Sequence, residues 1–327
     1  MKQLIYIFFV ITLFSACTSR SDKEIDTSAI DVKVKIKRLE QELFSLQSKE
    51  SVKNFLDNNQ VFTKQFLQAE QYPHDSLLVN SVYQLVTDTS IHVLLNETRE
   101  EFADLRYLEQ EFTDAFKHIK YYYPDFKVPQ IQTVVTGLAN DMYVSDSLII
   151  ISLDFFLGDS ATYRPQFPQY VLKRYRKEYI VPSVILLLSK KYNLINPADR
   201  TLLGEMIFYG KAFEFTKYMM PSKHDSLIIG YTGDQLAESD TNRNVIWGHF
   251  IEKKLLYETS HFIKIKYVDE RPYTAEIGSK APGAIGRWLG WEIVKAYMQE
   301  EKPNLQNLMK NQDAQRIFTQ SKYKGKS

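Results

Sequence analysis

Residues Ala281 to Met298 read Ala-Pro-Gly-Ala-Ile-Gly-Arg-Trp-Leu-Gly-Trp-Glu-Ile-Val-Lys-Ala-Tyr-Met, and they constrain the fold more than any other stretch. They hold two of the three tryptophans and three of the twelve glycines. Pro282 and Gly283 suit a helix start, and Gly286 and Gly290, four apart, fall on one face of that helix. Glycine inside a helix costs about 1 kcal/mol relative to alanine, so two at this spacing imply that another backbone comes close. Ile285, Trp288, Leu289, Trp291 and Val294 cover the other sides, leaving Arg287, Glu292 and Lys295 as the charges. A helix apolar nearly all round belongs inside a domain. Arg287 and Glu292 stand five positions apart and point in different directions, which favours packing over a shared site.

A chain of 327 residues that is 44% hydrophobic can bury one large core or two modest ones around such a helix. At the other end, Lys2 and the apolar run Leu4 to Phe14 are too short to span a bilayer but fit a secretory signal. The sole cysteine follows directly, in Phe14-Ser15-Ala16-Cys17, the small, small, cysteine order of a bacterial lipoprotein cleavage site. Residues 1–16 therefore read as a lipoprotein signal peptide and Cys17 as the lipid attachment point. A thiol mechanism is then excluded, because the anchor consumes the thiol. Cleavage removes Lys2 and no acid, so the 41 Lys and Arg less one balance the 40 Asp and Glu. A near-neutral mature chain argues against a nucleic-acid partner, which usually demands a basic excess. Thr18 to Ile30, polar and without aromatics, reads as a flexible tether over 17–30. It carries no acidic cluster after Cys17, which points to an anchor facing the periplasm, with the outer membrane favoured.

Val32 to Ile36 alternates valine or isoleucine with lysine, the period of a half-exposed strand. Helical spacing runs from Phe44 to Leu67, from His74 to Val86 and from Glu97 to Ile119, the last predicting one long amphipathic helix that stops before Pro124. Ile131 to Thr136 and Leu148 to Leu153 read as adjacent strands separated by a turn from Gly137 to Asp146. The remainder is helical: Val181 to Tyr192, Ala198 to Tyr218, Asp234 to Ser239, Val245 to Tyr257, Gly283 to Met298 and Leu305 to Asn311. Strands early and helices late predict an α+β fold, a mostly helical single domain over 31–327 with a small sheet in its amino-terminal half. Asp-Ser-Leu-Ile-Ile occurs at 146–150 and at 225–229, at no fixed period with the related Asp75-Ser76-Leu77-Leu78, and reads as a turn-then-apolar phrase reused by chance.

Motifs that carry chemistry are scarce. No phosphate-loop string and no Gly-x-Ser-x-Gly elbow is present. The six histidines never stand at i, i+4, and His249 with Glu252 makes only an isolated pair. Asp154 follows a strand and precedes Gly158, a common place for a general base, although an aspartate there more often caps the turn with its own side chain. Glu205 and Glu214 lie nine apart, two and a half turns, and do not share a helix face.

Five segments carry a resemblance. They are the lipoprotein signal ending at Cys17, Leu153-Asp154-Phe155-Phe156-Leu157-Gly158, Tyr179-Ile180-Val181-Pro182, Gly204-Glu205-Met206-Ile207-Phe208-Tyr209-Gly210-Lys211-Ala212, and Pro282 to Trp291. In this order they resemble the gliding-motility lipoprotein GldB family of Bacteroidetes over nearly the whole chain. That family is distantly similar to predicted zinc peptidases, in which one helix bears His-Glu-x-x-His and a later one opens with Glu-Gly-x-Ala. The first motif would fall within Val184 to Tyr192, where this chain has Val-Ile-Leu-Leu-Leu-Ser-Lys-Lys-Tyr, and the second at Tyr209-Gly210-Lys211-Ala212, with a phenol in the third ligand's place.

The resemblance thus implies a metallopeptidase-like scaffold without its zinc motif, no metal, no cofactor and no enzymatic activity. It implies a lipid-anchored envelope protein that supports the gliding-motility machinery, and with it the associated type IX secretion system, through protein contacts. It also places the Ala281–Met298 helix beside the Val181–Tyr192 and Ala198–Tyr218 helices. Two rivals stand next to this reading. One is a hydrolase whose site has moved to Asp154, Glu205 or His249. The other is a peptide- or glycan-binding module that keeps the old cleft, lined by Asp154, Tyr209 and Arg287.

Overall fold

The structure, a computed structural model, describes residues 25–326. The signal peptide, Cys17 and the tether up to Glu24 lie outside the described residues. Four strands form a mixed sheet: β1 (Ile36–Arg38), β2 (Gln130–Val134), β3 (Met142–Val144) and β4 (Leu148–Ser152), in the order β1-β2-β4-β3. β1 runs parallel to β2 and β2 parallel to β4, with Ile131 opposite Ile149, while β3 pairs antiparallel with β4 and sets Tyr143 opposite Ile150.

Alternation along β4 divides the interior. Ile149 and Ile151 point into the main core with the helix Arg106–Tyr122, and Leu148 and Ile150 point into a second core with the helices Lys49–Asn58 and Asp75–Thr87. Every residue of β4 is buried, which explains an uninterrupted Leu-Ile-Ile-Ile run in place of polar alternation. The second core fills the long crossover from β1 to β2. Glu40, at its start, is buried and accepts from Thr133 Oγ1 at 2.8 Å and Arg38 Nε at 2.6 Å, so the first helical turn, Leu39–Leu43, is tied to the sheet.

The α+β assignment holds, and several element boundaries move. Val32 and Val34 are buried and their lysine neighbours exposed, as the alternation requires, but ladder pairing begins only at Ile36. The single helix expected over Glu97 to Ile119 is two, Thr89–Glu101 and Arg106–Tyr122. The chain leaves the helix at buried Phe102, and Asp104 Oδ1 accepts the Arg106 N–H at 2.8 Å to start the next one. Phe102 and Leu105 both reach the core through this break, so apolar periodicity survives a bend that it does not reveal. The turn expected between Gly137 and Asp146 contains β3. The tether is held at its end: Ile30 N–H bonds Thr27 O at 3.0 Å, and Ile30 packs on the main core.

The carboxy-terminal helix runs Ile285–Glu301, with Trp288 and Trp291 fully buried. Its main neighbours are Leu202–Met219, Ala314–Ser321 and His261–Val268. The helix Ile180–Ser189 packs chiefly on Leu202–Met219, so of the two neighbours the resemblance implied, Leu202–Met219 is the principal one, while Leu186 reaches the small cluster around Trp291. Gly286 and Gly290 also serve different partners. A Cβ on Gly286 would lie 3.0 Å from Tyr267 O, and one on Gly290 only 2.0 Å from Met206 O. The opposite notch is Gly210, whose Cβ would meet Gly290 O at 2.4 Å. Trp291 Nε1 donates to the buried Glu214 carboxylate at 2.9 Å across the same crossing.

Candidate functional site

Thr201 caps the helix Leu202–Met219 by accepting the Gly204 N–H at 3.0 Å, and this helix carries Tyr209 one position before the Gly210 notch. Arg287 lies in the first turn of Ile285–Glu301. The close crossing at Gly210 and Gly290 brings the two side chains together, with the guanidinium carbon 4.2 Å from the centre of the Tyr209 ring. Arg287 Nε donates to Val268 O at 2.5 Å and its terminal nitrogen lies 3.7 Å from Glu270 Oε1. Arg174 grips the same Glu270 with two bonds of 2.5 and 2.8 Å. A guanidinium stacked on a ring and bonded in its plane is not replaceable by lysine.

Arg174, Glu270 and Arg287 wall a crevice of about 30 Å³, whose lining also includes Lys173 and Arg271, with Glu270 as the lone acid; Tyr209 backs Arg287 from outside the lining. Lys173 donates to Gln235 Oε1 at 2.6 Å and sits over the Tyr231 ring. Burial, reinforced by the neighbouring Arg174, lowers its pKa to about 8. Sequence reasoning named Tyr209 and Arg287 and missed Lys173, Arg174 and Glu270. The basic run Lys173-Arg174-Tyr175-Arg176-Lys177 was the available signal.

Asp154 does not line this crevice. It lies in the 3-10 turn Leu153–Phe156, 1% exposed, and its Oδ2 accepts the N–H groups of Thr136 at 3.2 Å and Leu138 at 2.8 Å. Gly137 and Leu138 both have positive φ, so the carboxylate secures a left-handed turn, which is the capping role. Burial pushes its pKa up to about 6 against the pull of those N–H groups.

The other sequence candidates are engaged separately. Glu205 pairs with Lys264, and His249 Nε2 lies 2.9 Å from Tyr267 Oη, its pKa lowered by burial. In Val184 to Tyr192, where the resemblance would put the first peptidase motif, Val184, Ile185 and Leu188 fill the main core. Among the described residues no three His, Cys, Asp or Glu side chains come together to hold a metal ion. Lys211, two positions after Tyr209, is 1% exposed and donates to Leu194 O at 2.8 Å and Asn311 O at 2.7 Å. Burial without a carboxylate lowers its pKa to about 7. No helix among the described residues is long and apolar enough to cross a membrane.

Fold and site together define a mostly helical α+β domain in which two glycine-notched helices cross beneath a cationic crevice. The family model described as gliding motility protein GldB matches residues 20–325, and the chain belongs to that family. No curated protein and no solved structure matches it.

Proposed function

We propose that the chain is a lipid-anchored envelope protein that supports the gliding-motility machinery, and the type IX secretion system tied to it, through protein contacts and not through catalysis. The observation that carries this reading is membership of the GldB family over residues 20–325. The scaffold is metallopeptidase-like in origin and has lost its chemistry. Supporting this, buried aliphatic side chains and a phenol stacked under Arg287 stand where the resemblance would put metal ligands.

Cys17 carries the lipid, and the domain faces the periplasm from the outer membrane. Eight positions separate Cys17 from Ile25, a reach of at most about 29 Å at ~3.6 Å per residue. Ile25 to Ser28 border an open hollow of about 580 Å³ with Glu111, His118 and Lys223. This end of the domain therefore stays near the bilayer, and partners meet the remaining surface.

Deleting the gene tests the reading. Cell spreading should be lost, restored by the intact chain, and not restored by Cys17→Ala, which should also leave the membrane fraction. Normal spreading in the deletion strain would overturn the assignment. Stoichiometric zinc in the purified protein, with peptide hydrolysis that zinc removal abolishes, would replace it with the hydrolase.

A further inference from the structure

The crevice beside Arg287 has more positive charge than its own acids neutralise. Lys173, Arg174, Arg271 and Arg287 face it; Glu270 serves both Arg174 and Arg287, and Glu276 pairs with Arg271. Among the lining residues four cations stand against one carboxylate, and Glu276, outside the lining, is shared by Arg271 and Lys266. Lys173 forms no ion pair among the described residues and is held by an amide oxygen and a ring face. The helix Ile285–Glu301 begins at the wall through Gly283 and Ala284, and no side chain caps its first N–H groups. Its seventeen residues bring a partial positive charge to that end.

The floor is rigid. Tyr231 Oη donates to Gly283 O at 2.9 Å, Thr274 Oγ1 donates to Pro282 O at 2.7 Å, and a Cβ on Gly283 would lie 2.0 Å from Arg271 O. The volume of about 30 Å³ admits roughly two water-sized oxygens, so a phosphate seats two of its oxygens in the crevice and leaves the others at its open mouth.

We infer that this crevice binds one dianionic phosphate group, received by Lys173, Arg174 and Arg287 at the uncapped helix start. Surplus positive charge from several side chains suits a dianion better than a singly charged carboxylate. Both prongs of Arg174 already hold Glu270 and Arg287 Nε holds Val268 O, so phosphate oxygens take the remaining guanidinium N–H groups while Lys173 adds a point charge. The small volume means that a larger ligand would insert only its phosphate end. The lowered Lys173 pKa agrees with the geometry, since burial and the neighbouring Arg174 outweigh the pull of Glu270 and a phosphate would add counter-charge.

The purified, full-length chain is titrated with inorganic phosphate, phenyl phosphate and acetate at matched ionic strength, following melting temperature and the ammonium signal of Lys173. Both phosphates should raise the melting temperature above the chloride control and acetate should not; both should return the Lys173 pKa toward its ordinary value. Tighter binding of phenyl phosphate assigns the site to a phosphomonoester, and equal binding to free phosphate. Lys173→Gln should weaken phosphate binding about tenfold, the loss of one charge-assisted contact, while Lys173→Arg retains it and circular dichroism shows both folded. No shift beyond the chloride control, or an unchanged affinity in folded Lys173→Gln, would overturn the site.

Discussion

The carbonyl oxygen of Met206 occupies the space where any side chain at Gly290 would begin, 2.0 Å from an ideal Cβ. Backbone cannot swing aside as a rotamer can, so Gly290→Ala forces the two long helices apart. We expect a loss of about 3 kcal/mol or more, the upper end of overpacking costs, read as a lower urea midpoint. Gly248 is the control, because it sits inside the helix Arg243–Glu252 with nothing within 4 Å of its Cβ position. Gly248→Ala should stabilise by up to about 1 kcal/mol. Equal behaviour of the two variants would refute the backbone-contact account.

Ala284 precedes the same helix with φ of 57°, a left-handed conformation that penalises a Cβ. Its glycine neighbour at 283 is needed for close approach to Arg271, so the two demands fall on adjacent residues and only one is met by glycine. Ala284→Gly should raise stability by about 1 kcal/mol in chemical denaturation. A destabilised variant would mean that the alanine methyl packs more favourably than its backbone is strained.

Asp154 should make stability fall with rising pH. Its folded pKa is about 6 against an ordinary 3.8, so between about pH 4 and 6 the unfolded carboxyl has lost its proton while the folded one keeps it. The decline is at most roughly 3 kcal/mol, at ~1.4 kcal/mol per pH unit. The substitution Asp154→Asn keeps one oxygen for the Thr136 and Leu138 N–H groups and should flatten this window. Denaturation series across that pH range decide the point; an unchanged slope in the variant would place the titration elsewhere.

Lys211 acts with the opposite sign. Its folded pKa of about 7 lies below the ordinary 10.5, so above pH 7 the unfolded amine holds a proton that the folded one has released. Stability should therefore rise with pH from about 7 toward 10.5. Lys211→Met should remove that rise and leave Leu194 O and Asn311 O without this donor, at about 1–3 kcal/mol for each oxygen that water does not reach. Nitrogen-detected NMR of the Lys211 side chain should show a midpoint near 7, and a midpoint near 10.5 would contradict the buried, unpaired placement.

Arg287→Lys should retain the charge and lose the stack on Tyr209, costing about 0.5–2 kcal/mol in thermal or urea unfolding. Tyr209→Leu should cost a similar amount, and the double variant less than the sum if the two residues act as a pair. Strict additivity would show that they are neighbours without coupling.

Periodicity made much of the architecture legible in the chain itself. The Ile285–Glu301 helix, its glycine notches, the paired β2 and β4 and the capping role of Asp154 all follow from local patterns, because burial and backbone demands leave marks on residue type. Arg287, Tyr209 and Asp154 were also marked, as the lining of one cleft, but of the three only Arg287 lines the crevice. What failed shares one cause. The break at Phe102 to Leu105 preserves apolar spacing, β3 hides in a polar turn, and Gly286 faces Tyr267 while Gly290 faces Met206. Each depends on a partner far away in sequence.

Asp-Ser-Leu-Ile-Ile states the division within five residues. At 225–229 it forms a helix, with the His224 ring accepting the Ser226 N–H and Gly230 closing the turn at positive φ. At 146–150 the same five residues turn and enter β4, where Leu148 and Ile150 face one core and Ile149 the other. Sequence alone determined that such a segment is apolar and must be buried, just as it determined the family and the notched helix. The tertiary structure decided its shape, because β2 and β3 offer open hydrogen-bonding edges to one copy and the neighbouring helices offer none to the other. The same long-range placement set Lys173, Arg174 and Glu270 beside Arg287, and so made a crevice from residues that stand far apart along the chain.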